Sequence, residues 1–256
     1  MGATRSRIRP SWDSPPPVGL GRETSALAVN PSPGSTRLIV TRVKVCCTAS
    51  TQEARLSVRA GASALGLVSE TPSGPGVIPE NRIAEIAASV PPPIATVLLT
   101  SRKDVKEIVA QQKRCGVNTL QICDRVAPAV HEELRGSLPG VSLLQVVHVN
   151  REESVSIALQ AARTVDALLL DSGDPSLPTP EFGGTGRTHD WQISARIIQE
   201  SPVPTFLAGG LTSANVQRAI PSLRPFGVDV CTGVRTEGKL SERKLIDFMK
   251  SVANVT

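Results

Sequence analysis

Eight short apolar runs, separated by stretches of helical period, constrain this chain more than any other feature it carries. They fall at 38–46, 64–68, 94–99, 119–122, 143–149, 167–170, 203–208 and 228–231. Each is close to continuous in apolar residues, the pattern of strands buried on both faces. Between them, Val105, Ile108, Val109 and Gln112 follow the i, i+3, i+4, i+7 spacing with a polar last step. Val155, Ala158, Leu159 and Ala162 follow it fully, as do Leu245, Phe248, Met249 and Val252. Thr51 before Glu53, Thr212 before Asn215 and Ser241 before Lys244 read as helix starts. Alternating strands and helices imply parallel strands with crossover helices, and eight repeats imply a closed (β/α)8 TIM barrel. An open dinucleotide-binding sheet is disfavoured, because the first run ends in Cys46-Cys47-Thr48 and no G-x-G-x-x-G follows.

The barrel accounts for residues 38–256, with its last helix ending near 253. Residues 1–37 have a different texture. They hold Pro10, Pro15, Pro16, Pro17, Pro31 and Pro33 with Ser and Gly between and no sustained hydrophobic period, so a disordered tail is expected. Arg5, Arg7, Arg9, Arg22 and Arg37 against Asp13 and Glu23 place +3 of the chain's +5 net charge in this tail. The remainder is close to neutral. Together with no Tyr, four Phe and two Trp, this argues against a nucleic-acid partner, since a single-strand platform needs aromatics beside basic residues. No run reaches the ~18 apolar residues of a membrane span.

The five cysteines, Cys46, Cys47, Cys115, Cys123 and Cys231, are odd in number and scattered, which points to free thiols in a reducing compartment. No C-x-x-C pair exists and the three histidines lie far apart, so no metal site is expected. Cytoplasm follows, with organelle targeting by the Arg-bearing tail left open, although its prolines oppose an amphipathic transit helix. Met1-Gly2-Ala3-Thr4-Arg5-Ser6 also fits the permissive myristoylation pattern.

In such barrels the chemistry sits at the C-terminal ends of the strands. Read there, Lys44 and Cys46 end the first strand, Asp171 the sixth, and Asp229 belongs to the eighth. Gly209 and Gly210 precede a helix opening at Thr212, and Thr232-Gly233 follows the eighth strand, the usual barrel phosphate site. The plain alternative is that the glycines only turn the chain. A thiol such as Cys46, lowered by cations or helix ends, can act as a base, and a desolvated carboxyl such as Asp171 can act as an acid near neutrality. The alternatives are an inert buried thiol and a turn or cap residue.

At these residues the chain resembles the phosphoribosylanthranilate isomerase family of tryptophan biosynthesis. Lys44-Val45-Cys46-Cys47 resembles K-I-C-G, and the six residues from Gly61 to Gly66 resemble G-A-D-A-L-G. Leu169-Leu170-Asp171 resembles L-L-D. Gly183-Gly184-Thr185-Gly186, then Asp190-Trp191, resembles G-G-T-G-x-x-F-D-W. Leu207-Ala208-Gly209-Gly210-Leu211, then Asn215-Val216, resembles L-A-G-G-L-x-x-x-N-V. The eight residues from Gly227 to Val234 resemble G-V-D-V-S-S-G-V. The resemblance implies a cofactor-free Amadori rearrangement of N-(5'-phosphoribosyl)anthranilate to 1-(2-carboxyphenylamino)-1-deoxyribulose 5-phosphate. It implies Cys46 as base, Asp171 as acid, and phosphate held at Gly209, Gly210, Thr232 and Gly233. Lys44, Gly184, Thr185, Gly186 and Asp229 are further candidates for contact with the sugar-phosphate substrate. A monomer or homodimer is expected.

Three positions depart from the family pattern. Cys47 stands where the family has Gly. The segment from Ser73 to Val77 lacks the arginine of the family's S-P-R. Gln121-Ile122-Cys123-Asp124 lacks the histidine of Q-L-H-G. Arg125 and Arg187, both on loops of the mouth, are candidates to supply the missing cation for the anthranilate carboxylate, which needs a charge-assisted donor; the alternative is that both are solvated surface arginines. Two other readings stay open: a related barrel acting on a different aminated ribose phosphate, and a catalytically silent barrel that binds a sugar phosphate.

Overall fold

The computed structural model describes residues 40–72, 74–172 and 191–255. The expected tail therefore lies outside the described residues, as do Gly184, Thr185, Gly186 and Arg187. The strands are β1 (Arg42–Val45), β2 (Ala64–Val68), β3 (Ala95–Thr100), β4 (Thr119–Ile122), β5 (Ser142–His148), β6 (Ala167–Asp171), β7 (Thr205–Leu207) and β8 (Gly227–Val230). They pair in parallel in that order, and β8 returns to β1 to close the barrel. Helices α1 (Thr51–Arg59), α2 (Glu80–Ser89), α3 (Val105–Cys115), α4 (Pro128–Ser137), α5 (Glu153–Ala161), α6 (Trp191–Glu200), α7 (Ser213–Leu223) and α8 (Glu242–Ala253) follow the strands in turn.

The elements keep close to their expected positions, with instructive differences. β7 is shorter than the run 203–208 because Pro204 has no N–H to give the ladder, although its carbonyl still accepts from Leu168. The start of α1 is a correction: Ser50, not Thr51, is the N-cap. Ser50 has extended backbone and its hydroxyl accepts from the Glu53 N–H, while Thr51 is already helical. Thr212 and Ser241 cap α7 and α8 as expected. A two-stranded hairpin, β9 (Arg235–Thr236) with β10 (Lys239–Leu240), follows a short 3-10 turn over Thr232–Val234 and was not foreseen.

Side chains alternate across each strand, so one set faces the helices and the other fills the barrel. Val43, Val45, Leu65, Leu67, Leu168, Leu170, Val228 and Val230 belong to the layer between sheet and helices, with Ile83, Ile108, Ile197 and Phe248 reaching it from outside. Val97, Leu144, Val146, Leu169 and Ala208 pack within the barrel. No helix among the described residues is long and apolar enough to cross a membrane.

Candidate active site

The parity that sends Val43 and Val45 outward sends Lys44 and Cys46 into the barrel, and register fixes their neighbours. Lys44 pairs with Asp229 across β1 and β8, and His148 with Asp171 across β5 and β6. Cys46, Asp171, Gly209, Gly210, Asp229 and Thr232 line one cavity at the C-terminal ends of the strands. Cys46, Asp171, Gly209, Gly210, Asp229 and Thr232 are thus brought together, with Lys44 buried beside Asp229 and Gly233 in the turn after Thr232.

Lys44 Nζ lies 3.0 Å from Asp229 Oδ1, with both side chains almost wholly buried. Burial pushes Lys44 toward its neutral form, but the Asp229 carboxylate and the Cys46 thiol outweigh it and raise its pKa, so the ammonium stays charged. Burial lifts Asp229 above its usual range against the pull of Lys44. A buried pair of this kind is held less by its own net energy than by the cost of leaving either charge alone. A methyl group in place of the Gly66 hydrogen would lie 2.9 Å from Cys46 Sγ and 3.2 Å from Lys44 Nζ. The thiol and the ammonium therefore share one neighbourhood.

The Cys46 thiol is held below its ordinary value. The largest cause is a hydrogen bond from Cys47; burial opposes it, and Lys44 adds to it. Asp171 is 7% exposed. Burial pushes its carboxyl up to about 6, against a hydrogen bond from the Ser172 N–H to Oδ1 at 2.7 Å. The two groups are displaced in the directions that a base and an acid need near neutral pH.

Backbone shapes the opposite rim. Gly209 sits at φ +86°, and a Cβ there would meet Ser172 Oγ at 2.8 Å. A Cβ on Gly233 would strike the Leu211 carbonyl oxygen. Asn215 pins the loop between them: its Oδ1 accepts from the Thr212 N–H at 2.8 Å and its Nδ2 donates to the Gly210 carbonyl at 2.9 Å. The loops after β7 and β8 therefore meet at glycine backbone next to the start of α7, a concave surface suited to an anion.

One group escaped the sequence reading. Arg235, on β9, is buried and donates to the Cys46 carbonyl at 3.2 Å and the Cys47 carbonyl at 2.5 Å, while pairing with Glu53 of α1 at 3.2 Å. Glu53 in turn accepts from the Ala49 and Leu240 N–H groups. This network holds the turn after β1, where Cys47 adopts φ +62°. No local signal in the sequence marks it, because the partners are more than 180 residues apart.

Arg125 goes elsewhere. Its side chain is exposed and lines a separate hollow of about 730 Å³ between α4 and α5, with His131, Gln145 and Arg151. That hollow holds neither Cys46 nor Asp171. Cys123, where the family motif has histidine, is buried, and burial pushes its thiol up to about 12, so it stays neutral.

Residues 43–251 match the family model described as N-(5'phosphoribosyl)anthranilate (PRA) isomerase. The chain is 31% identical over 214 residues to the N-(5'-phosphoribosyl)anthranilate isomerase of Methanocella arvoryzae, covering 83% of this chain and 98% of that protein. It is 36% identical over 200 residues to the Haloarcula marismortui protein of the same name, covering 78% and 89%. Among solved structures, the phosphoribosyl anthranilate isomerase of Thermococcus kodakaraensis superposes with a TM-score of 0.71 at 31% identity, covering 84% of this chain and all of that one.

Proposed function

The chain belongs to the N-(5'-phosphoribosyl)anthranilate isomerase family, and from that membership we propose that it rearranges N-(5'-phosphoribosyl)anthranilate to 1-(2-carboxyphenylamino)-1-deoxyribulose 5-phosphate, a step of tryptophan biosynthesis. The observation that carries this reading is the opposed displacement of two groups lining one cavity: a thiol lowered at Cys46 and a carboxyl raised at Asp171. Protonated Asp171 gives its proton to the furanose ring oxygen as the bond to the anomeric carbon breaks, leaving a Schiff base. Cys46 thiolate takes the proton from the neighbouring carbon, and the enolamine tautomerises to the ketoamine. The rearrangement is a net isomerisation: the proton gained by Cys46 and the proton lost by Asp171 balance, and exchange with solvent resets the pair.

Gly209, Gly210, Thr232 and Gly233 hold the phosphate through backbone N–H groups, which fixes the sugar and raises the effective concentration of the reacting atoms. Lys44, paired with Asp229, adds positive charge beneath Cys46 and favours its thiolate. For the anthranilate carboxylate, Arg187 is the better of the two expected cations, since Arg125 lines another hollow. The catalytic domain is residues 38–256, acting as a monomer or homodimer in a reducing compartment such as the cytoplasm.

Growth of a tryptophan auxotroph lacking this isomerase, restored by the chain and not by its Cys46→Ala variant, tests the reading. Soluble, folded protein that fails to restore growth would sink it. A second reading, a different aminated ribose phosphate as substrate, draws on the neutral Cys123 in the place of histidine and the missing arginine between residues 73 and 77. Assay of purified protein on N-(5'-phosphoribosyl)anthranilate separates the two.

A further inference from the structure

Three of the five cysteines meet at the mouth. Cys46 and Cys47 follow β1, Cys231 follows β8, and the three cluster with Val68 and Leu99. Cys47 is the departure from the family motif, a side chain in place of glycine. It stands in the left-handed region at φ +62°, with its carbonyl held by Arg235. That turn aims its sulfur at β8: Cys47 Sγ is 2.8 Å from Cys231 Sγ. A disulfide bond is ~2.05 Å long, so a small side-chain rotation would bring the two sulfurs to bonding distance. Access is asymmetric. Cys46 and Cys47 are buried, whereas Cys231 is partly exposed and can meet a reagent from solvent.

We propose that Cys47 and Cys231 are a redox-active dithiol, oxidised to an internal disulfide by a low-molecular-weight disulfide of the glutathione class, and that this bond suppresses the isomerase reaction. The chemistry is two exchanges. Cys231, as thiolate, attacks one sulfur of the oxidant; the oxidant's S–S bond breaks, one thiolate leaves, and a mixed disulfide remains on Cys231. Cys47 then gives up its proton and attacks the Cys231 sulfur, and the second thiolate leaves. The protein loses two electrons and two protons, and the oxidant becomes two thiols.

The consequence for the site follows from what Cys47 touches. Its thiol lies 3.4 Å from the Pro75 carbonyl on the loop after β2. Gly76 of the same loop sits so close that an added Cβ would lie 2.5 Å from Cys47 Cβ. Bond formation removes the Cys47 S–H, the one proton it can offer to the Pro75 carbonyl or to Cys46, and ties the base-bearing end of β1 to the strand end that leads into Thr232 and Gly233. The suppression, unlike the bond itself, rests on the function proposed above.

The full chain treated with oxidised glutathione should yield a disulfide joining the peptide that holds Cys46 and Cys47 to the one that holds Cys231, detected by mass and reversed by dithiothreitol. The link should persist in Cys46→Ser and vanish in Cys47→Ser and Cys231→Ser. Isomerase activity of the oxidised wild type should fall roughly tenfold or more, as when a positioned base is disturbed, and return on reduction. In Cys231→Ser, activity after oxidant should match that variant's own reduced activity. A link that survives Cys47→Ser, or no link at all, would overturn the dithiol. A link that forms while activity stays unchanged would overturn the suppression. Should the reduced protein show no isomerase activity, the functional reading fails, while the peptide masses still decide the dithiol.

Discussion

The mouth of this barrel has two unlike arcs. Through β6, β7, β8 and β1 it keeps the family's motifs apart from Cys47 and Cys231, and its parts are fixed by backbone and buried charge: the Lys44–Asp229 pair, the raised Asp171, the glycine loops pinned by Asn215, and the Arg235 network under Cys46. Through β2 and β4 it has lost the motif arginine and histidine, and it presents Gly74, Pro75 and the neutral Cys123 instead. On the proposed function, the first arc would face the reacting atoms and the phosphate, where an ångström matters. The second would face the aromatic acid, whose carboxylate can be met from another loop. Function therefore constrains the two arcs differently: one by position, the other only by the presence of a donor.

Four experiments break or sharpen that contrast. The largest effect is expected at the proton-transfer pair. Asp171→Asn should lower kcat by about 10²–10⁴ with little change in KM. Asp171 must be protonated to act, so kcat/KM of the wild type should fall as pH rises through about 6, and this limb should vanish from the variant's residual rate. The same group makes a stability prediction of fixed sign. Its folded pKa lies above the ordinary 3.8, so the folded state holds a proton that the unfolded chain releases. Wild-type stability should decline between about pH 4 and pH 6, and the Asn variant should lack that decline in thermal melts.

Next, Lys44→Met strands Asp229 in the barrel and should cost about 3–5 kcal/mol in denaturant unfolding, much of it recovered by adding Asp229→Leu. An intermediate effect belongs to Gly233→Ala. The clash with Leu211 should shift the loop, cost about 1–3 kcal/mol and raise KM for the phosphorylated substrate more than it lowers kcat. The smallest belongs to the second arc. Arg125→Ala should change KM by no more than about twofold, as an exposed side chain away from the cavity would. Arg187→Ala should raise it roughly tenfold, the worth of one charge-assisted donor. Equal effects of the two arginines would erase the distinction drawn between their loops.

The barrel itself was legible because its signal is local and repeated: apolar runs at strand length, helical period between them, and caps at Thr212 and Ser241. The strand ends then follow, and with them Cys46, Asp171 and the two glycine loops. What stayed hidden depends on contacts between distant residues or on local conformation that no period encodes. The choice of Ser50 over Thr51 as cap turns on one backbone torsion. The burial of Arg235 beneath Cys47 turns on a hairpin of four paired residues too short to show a period. Arg125 reads as a mouth residue because its loop follows β4, yet it is exposed and lines a separate hollow, a placement no spacing encodes.

Closure of the barrel between its first and last strands has a consequence for how the protein comes into being. Cys46 and Lys44 arrive with β1, while Asp229, Cys231, Thr232 and Arg235 arrive with β8 and the segment after it, so the proposed base and the groups around it are joined across 184 residues of chain. Contacts of such span are among the costliest in chain entropy and the slowest to form. A growing polypeptide holds its aspartate, its thiol and its first glycine loop long before the seam can shut. Catalysis thus reports completion of the last strand, and a nascent or split chain should be silent until its two ends have met.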